Sequence, residues 1–472
     1  MTKMTPRDLL DALLQDSLTA FIEYAFNTLN PGHPFIPDNH IRAMAHHLEL
    51  VERGKIRRLA IALPPRHLKS LCASVAFPAW VLGRDPSRRI IGASYSADLA
   101  QGFSLQTRRL MEDATYRRIF PATRFDPKRT TLEEIRTTQH GYRIATSVGG
   151  ALTGKGGNIL IVDDPLKAGE ACSEATRESA REWLRSTLMS RLDNPKRDAI
   201  VLVSQRLHTE DLIGLAIEQG GWCLLKLPAT AIETQEIEIG DGIIWTREPG
   251  EILQPTRVGE AELAQLRKDL GSANFEAHYQ QRPVPPGGNL IKLAWFKRYD
   301  EAPPLTQYEA IVQSWDTAMV PGEGNAYSVC TTWGISGQRL YLLDVFREQL
   351  NYPDLRRAVV RLKKEFQATM VIVERAGSGI SLYQDLQGTR PEWIFNLNPE
   401  GDKASRLAQQ SAKIEAGRVY LPKKAPWLSP FESEIAAFPN GKHNDQVDSL
   451  TQFLRTLDFK PRPLRSLSLY AG

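Results

Sequence analysis

Cysteine is scarce in this chain. Its 472 residues include four, Cys72, Cys172, Cys223 and Cys330, far apart and without a C-x-x-C pair. That spacing argues against a zinc site or a disulfide framework and suits a reducing compartment. Long apolar runs are missing too. None approaches the roughly 18 residues a membrane helix requires, and no leader-like segment opens the chain, so cytoplasm is the expected compartment. Charge of one sign is not in large excess: 59 Lys and Arg stand against 55 Asp and Glu, a net +4. The pI is near 8.7. This mild lean permits a polyanionic partner without establishing one. The composition is that of a globular protein with room for two or three domains.

Apolar periodicity divides what is there. Residues 7–30 have helical spacing and break at Pro31-Gly32, and 40–51 read as an amphipathic helix. Strands at 59–63, 89–94, 159–162 and 199–204 then alternate with helices at 69–82, 97–113 and 174–190. Apolar strands interleaved with helices predict a parallel α/β sheet covered on both faces. An irregular hairpin region at 231–258 and a charged helix at 259–270 follow. Pro283 to Gly288 is the strongest breaker cluster and reads as a linker. A second α/β block starts near 308, with a hairpin turning at Ser336-Gly337, a strand at 369–374 and helices at 353–366, 403–416 and 445–457. The predicted divisions are 1–34, 35–230, 231–282, 283–305, 306–458, and a basic tail 459–472 without expected structure.

Two apolar strands end in chemistry. LAIALPPRHLKS (59–70) leads into Lys69-Ser70, and ILIVDD (159–164) ends in Asp163-Asp164. A nucleoside triphosphate needs a cation on its β/γ phosphates, a hydroxyl on its Mg²⁺ and a carboxylate holding that metal. Lys69, Ser70 and Asp163 are the candidates, with Asp164 polarising water and Arg66 as a further cation. The usual phosphate loop places glycines where this chain has Leu63 and Leu68. A helix starting at Lys69 would still aim its positive end at phosphate. Each run alone also fits a plain strand-end turn; the two together favour a nucleotide site. The glycine-rich 149–157 loop carries Lys155, which either reaches a γ-phosphate, as a finger from a neighbouring subunit, or is solvated.

A second acid set lies downstream. Asp316 ends AIVQSWD, Glu374 ends MVIVE, and Asp445 opens a helix with Asp448 one turn on. Acids at adjacent strand ends plus a helix-borne acid suit two divalent metals about 3.5–4 Å apart, an arrangement for phosphodiester hydrolysis. Singly, each acid also fits an ordinary cap or strand end. Lys403, Arg406 and Lys413 at near-helical spacing either track phosphates or form a solvated face, and Arg375 sits beside a Gly-Ser-Gly run. His443 reads as a turn residue.

These runs, in order, carry a resemblance. ALPPRHLKS, GASYSADLA, ATSVGGALTGKGGNILIVDDP, SRLDNP, SQRLHTEDLIG, AHYQQRPVPPGG, QSWDTA, VIVERAGSG, AGRVYLP and HNDQVDSL, spread over roughly residues 35 to 457, resemble the large terminase subunits of tailed bacteriophages and prophages. The resemblance implies a RecA-like additional-strand P-loop ATPase domain joined to an RNase H-like nuclease domain. It implies a motor that hydrolyses ATP to drive double-stranded DNA into a procapsid and cuts the concatemer. Residues 231–282 would then be a lid. The phosphate loop falls on Arg66, Lys69 and Ser70, the metal and catalytic acids on Asp163 and Asp164, and the coupling motif near Ser204-Gln205. Lys155 lies near where some relatives place a trans-acting arginine. The nuclease acids fall on Asp316, Glu374 and Asp445, with Asp448 a further candidate. Implied cofactors are ATP with Mg²⁺, and two divalent ions, Mg²⁺ or Mn²⁺, in the nuclease. Implied partners are a portal protein, a small terminase subunit and further copies in a ring, a pentamer, docked on the procapsid in the host cytoplasm. Leu68 departs from the general loop pattern. Alternatives are a helicase or repair nuclease, and an inactive prophage docking protein.

Overall fold

The computed structural model describes residues 5–127, 130–131, 133–150, 152, 154–283, 290–317, 327–375, 377–387, 393–399, 402–439 and 443–458. Most of the 283–288 breaker cluster, the 459–472 tail, and Ala151 and Thr153 of the glycine-rich loop lie outside these. The chain forms two compact units. One comprises Met1–Arg267 with Ser272–Pro285, the other Lys268–Gly271 with Pro286–Gly472. The hairpin region after 230 thus groups with the first block.

The first unit is built on β1 (Arg58–Ala62), β2 (Arg89–Ser94), β3 (Glu134–Arg136), β4 (Tyr142–Ser147), β5 (Ile159–Asp163), β6 (Ala199–Ser204) and β7 (Cys223–Lys226). They lie in the order β3-β4-β2-β5-β6-β1-β7. All pairs are parallel except β3 with β4. Runs such as Ile159–Val162 and Ala199–Val203 are buried throughout, because both faces are covered. One face packs on the N-terminal helices through Phe21, Ile22 and Met44, and on Trp80 of the helix Phe77–Arg84. The other packs on Trp183, Leu184 and Leu212. A separate hairpin pairs β8 (Gln235–Glu238) with β9 (Ile244–Arg247). The 7–30 periodicity splits into two helices, Pro6–Asp16 and Leu18–Leu29. Ser17 ends the first and caps the second, its hydroxyl accepting from the Ala20 N–H.

The order matters for the site. β6 stands between β1, which feeds the Lys69 loop, and β5, which ends at Asp163. Register fixes the three ends level: Ala62 pairs Ser204, and Asp163 pairs Val203. Leu63, Asp164 and Gln205 therefore leave the sheet side by side at its C-terminal edge, where open parallel sheets bind ligands.

The second unit has β10 (Lys297–Tyr299), β11 (Ala310–Asp316), β12 (Ser328–Ser336), β13 (Arg339–Glu348), β14 (Met370–Glu374), β15 (Ile394–Leu397) and β16 (Val419–Pro422). Their order is β10-β16-β13-β12-β11-β14-β15. β11, β12 and β13 form an antiparallel meander, and β14 joins β11 in parallel with Trp315 opposite Val373. Asp316 and Glu374 thus end neighbouring strands at one edge. The helix Asp445–Thr456 is pinned across β11 and β12 by Ser449. Its hydroxyl donates to the Ser314 carbonyl at 2.7 Å and accepts from the Thr331 N–H at 3.2 Å. Phe453 stacks on Trp333 at 4.5 Å.

Candidate active sites

In the first unit the chain leaves β1 through Pro64-Pro65 and turns sharply. Arg66 (φ 65°) and Leu68 (φ 58°) both lie in the left-handed region. This loop therefore makes its turn with two side-chain-bearing residues and stores strain that glycine would avoid. The helix then starts at Lys69 and passes into a π-helical turn, Leu71–Ala76. Pro78 gives the widening a cause, since it has no N–H to return to the preceding turn.

Lys69 is 6% exposed. Its ammonium donates to Gln205 Oε1 at 2.8 Å and pairs with Asp164 at 3.4 Å. Asp163 is buried and takes hydroxyl donors on both oxygens, Ser70 at 3.2 Å and Ser74 at 2.6 Å. Burial pushes its carboxyl up to about 7; Asp164 adds to the rise, and Lys69 and the two serines oppose it. Asp164 sits at φ 44°, and one of its carboxylate oxygens is buried without a partner. A buried Asp163 carboxyl held partly protonated, beside the unpartnered Asp164 oxygen, a serine hydroxyl and one lysine, fits a Mg²⁺–phosphate group by its donor chemistry. His278 stands in reach of Lys69 and is pulled down to about 4 by burial, so it is neutral near pH 7.

The predicted residues do not all converge. Arg66 is exposed on the loop. Ser204 turns its hydroxyl to its neighbour's carbonyl at 2.7 Å, and it is Gln205 that reaches Lys69. Lys155 pairs with Glu134 at 3.2 Å and lies over the Tyr142 ring. Sequence reasoning passed over Ser74, one turn beyond Ser70 and flagged by no loop pattern.

In the second unit Asp316 is pushed well above the usual carboxylate range by burial, then by Asp448, Asp445 and Glu374. Burial and Glu434 likewise raise Asp445. The four acids are thus within electrostatic reach, and such crowding calls for cations. The chain supplies two. Arg406 bridges Glu374 at 3.3 Å and Asp448 at 3.0 Å. Lys403 pairs with Asp448 and donates to Asn444 at 2.7 Å. Burial opposes the Lys403 charge, but Asp448, Asp316 and Asp445 outweigh it and raise its pKa. Among the described residues no group of three or more His, Cys, Asp or Glu is disposed to hold a metal ion. The donor chemistry fits divalent cations, and the lone pairs of Glu374 and Asp448 are engaged by Arg406 and Lys403. A cleft between Glu374, Arg406, Asp448 and Gln452 has about 10 Å³ of free space, one water's worth. Lys413 turns away to Asp458 at 2.7 Å, His443 packs edge-on to Tyr327, and the Arg375 N–H bonds the Leu397 carbonyl at 2.8 Å.

A parallel sheet with an extra strand between its phosphate-loop and acid strands is the additional-strand P-loop ATPase fold. The second sheet, which contains the run β13-β12-β11-β14-β15, is RNase H-like. Residues 313–457 match the family described as the terminase RNase H-like domain. Solved structures of the large terminase from a thermophilic bacteriophage match the whole fold. One crystal form has a TM-score of 0.55 at 10% identity, covering 91% of this chain and 100% of that one. The complex with ADP gives 0.53 at 10%, covering 94% and 99%. The complex with ATP-gamma-S gives 0.53 at 12%, covering 90% and 100%. Comparison with curated protein sequences gave no match. The second unit is therefore a terminase RNase H-like domain, and the chain has the fold of a large terminase subunit. Among the described residues no helix is long and apolar enough to cross a membrane.

Proposed function

We propose that this chain is the motor and nuclease of a viral DNA-packaging machine, hydrolysing ATP to move double-stranded DNA and cutting it with divalent metal. The observation that carries this reading is the convergence of Lys69, Ser70, Asp163, Asp164 and Gln205 on one sheet edge, in a chain whose other unit is a terminase RNase H-like domain. The thermophilic phage's large terminase, solved with ADP and with ATP-gamma-S, has the same fold. Lys69 would exchange Asp164 and Gln205 for β/γ phosphate, Ser70 and Asp163 would hold Mg²⁺, and Asp164 would orient water. Gln205 would then be free to report on the γ-phosphate.

In the second unit Asp316, Glu374, Asp445 and Asp448 would hold divalent ions once Arg406 and Lys403 release them. Bound metal would supply an activated water and a stabilised leaving oxygen. A portal protein, a small terminase subunit and a pentameric ring of copies complete the proposed machine.

Two assays test this. DNA-stimulated ATP hydrolysis by the native chain should fall at least a hundredfold in Lys69→Ala, and plasmid cleavage with Mn²⁺ should vanish in Asp316→Ala and survive in Lys69→Ala. A native chain that neither hydrolyses ATP nor cuts, with or without procapsids, overturns the reading in favour of docking without turnover.

A further inference from the structure

Behind Asp163 lies a cation that the proposed chemistry does not use. Arg143, on β4, is 1% exposed. Its side chain lies over β2 at Gly92, where a Cβ would come within 3.2 Å of the guanidinium. The Nη2 group donates to the Ser74 carbonyl at 3.1 Å. Nε and Nη1 have no hydrogen-bond partner. Among the described residues no carboxylate pairs with it at salt-bridge distance; Asp163 is the acid whose charge it feels. Burial lowers its pKa to about 10, so it is cationic at neutral pH. A buried, incompletely partnered guanidinium is strongly unfavourable unless its surroundings are arranged for it.

The arrangement is specific. Pro78 has no N–H to return to the Ser74 carbonyl, which accepts instead from side chains, the Thr107 hydroxyl at 3.5 Å among them. Arg143 takes that carbonyl, and the Ser74 hydroxyl holds Asp163 Oδ2. Ser70 holds Oδ1. When Ser70 turns to a metal, Ser74 is the anchor that remains.

We propose that Arg143 is a positioning residue of the nucleotide site, fixing Ser74 and through it the orientation of Asp163 toward Mg²⁺. The proposal rests on the nucleotide reading above. It is tested on the full chain with a fluorescent ATP analogue, titrated with and without Mg²⁺, alongside thermal melts. In Arg143→Gln the half-saturating Mg²⁺ should rise at least tenfold, with Mg²⁺-free affinity within twofold of native. Arg143→Lys, which keeps the charge and one donor, should restore Mg²⁺ dependence to within threefold. Ser74→Ala, which leaves the arginine in place, should reproduce the Mg²⁺ shift and serves if Arg143→Gln does not fold. Native-like Mg²⁺ dependence in a folded Arg143→Gln or in Ser74→Ala overturns the proposal. So does a Lys variant as impaired as the Gln variant. A native chain that binds no analogue at any Mg²⁺ concentration overturns the nucleotide reading itself, and this role with it.

Discussion

Lys69 donates to Gln205 at 2.8 Å, joining the start of the helix after β1 to the end of β6, 136 positions apart in sequence. The amide holds the ammonium where a phosphate would otherwise draw it. Gln205→Ala should leave nucleotide affinity within about threefold and lower kcat by about 10–100-fold, the pattern of a contact realised in the transition state. Equilibrium binding beside steady-state hydrolysis checks this; a matching loss in both would make Gln205 a ground-state binding residue instead.

The acid beside that pair has a pH signature. The Asp163 carboxyl sits up at about 7 against an ordinary 3.8, so the folded state favours its neutral form. Its stabilising contribution is full below about pH 4 and is lost as pH rises through about 7. Without metal, Asp163→Asn should therefore gain Tm over the native chain as pH goes from about 6 to 8.5, by several degrees. Melts in EDTA across that range measure it. A difference that stays flat with pH would show that Asp163 titrates normally.

Leu68 allows backbone strain to be measured directly. At φ 58° its backbone is left-handed, and its side chain packs against the core. Leu68→Ala loses the side chain and keeps the strain, whereas Leu68→Gly loses the side chain and the strain together. The glycine variant should be more stable than the alanine variant by about 1 kcal/mol, the reverse of the usual order in a helix. Denaturant unfolding of the two compares them, and an alanine variant of equal or greater stability would show an unstrained loop.

In the second unit, Arg406 compensates Glu374 and Asp448. Removing it leaves the half-buried Glu374 without its cation and the buried Asp448 with Lys403 alone. Arg406→Met should destabilise the metal-free chain by about 3 kcal/mol, and Mn²⁺ should recover more Tm in this variant than in the native chain. Melts with EDTA and with Mn²⁺ decide it; an equal Mn²⁺ gain in both would mean that Arg406 does not occupy metal-binding carboxylates.

Much of this architecture was legible along the chain. Strands at 89–94 and 199–204, the helices at 97–112 and 445–456, and the hairpin at Ser336-Gly337 declare themselves by periodicity and turn chemistry. β3 and the short strands β7, β15 and β16 did not, since elements this short carry too few residues for a period to show. β4 was hidden differently: its alternation includes Arg143, a residue that composition assigns to the surface.

The sequence by itself determined which atoms could do chemistry: Lys69-Ser70 after one apolar strand, Asp163-Asp164 after another, and acids ending β11 and β14. These are local facts, set by unbroken apolar runs and by where those runs stop. Tertiary structure alone decided the partnerships. Gln205 meets Lys69 because β6 inserts between β1 and β5, Arg143 reaches Ser74 because Gly92 leaves room and Pro78 offers no N–H to its carbonyl, and Arg406 lies between Glu374 and Asp448 because its helix packs against the Asp445–Thr456 helix. Such contacts join residues that no periodicity links, and they exist only once the sheets have closed and water has been excluded from the charges between them.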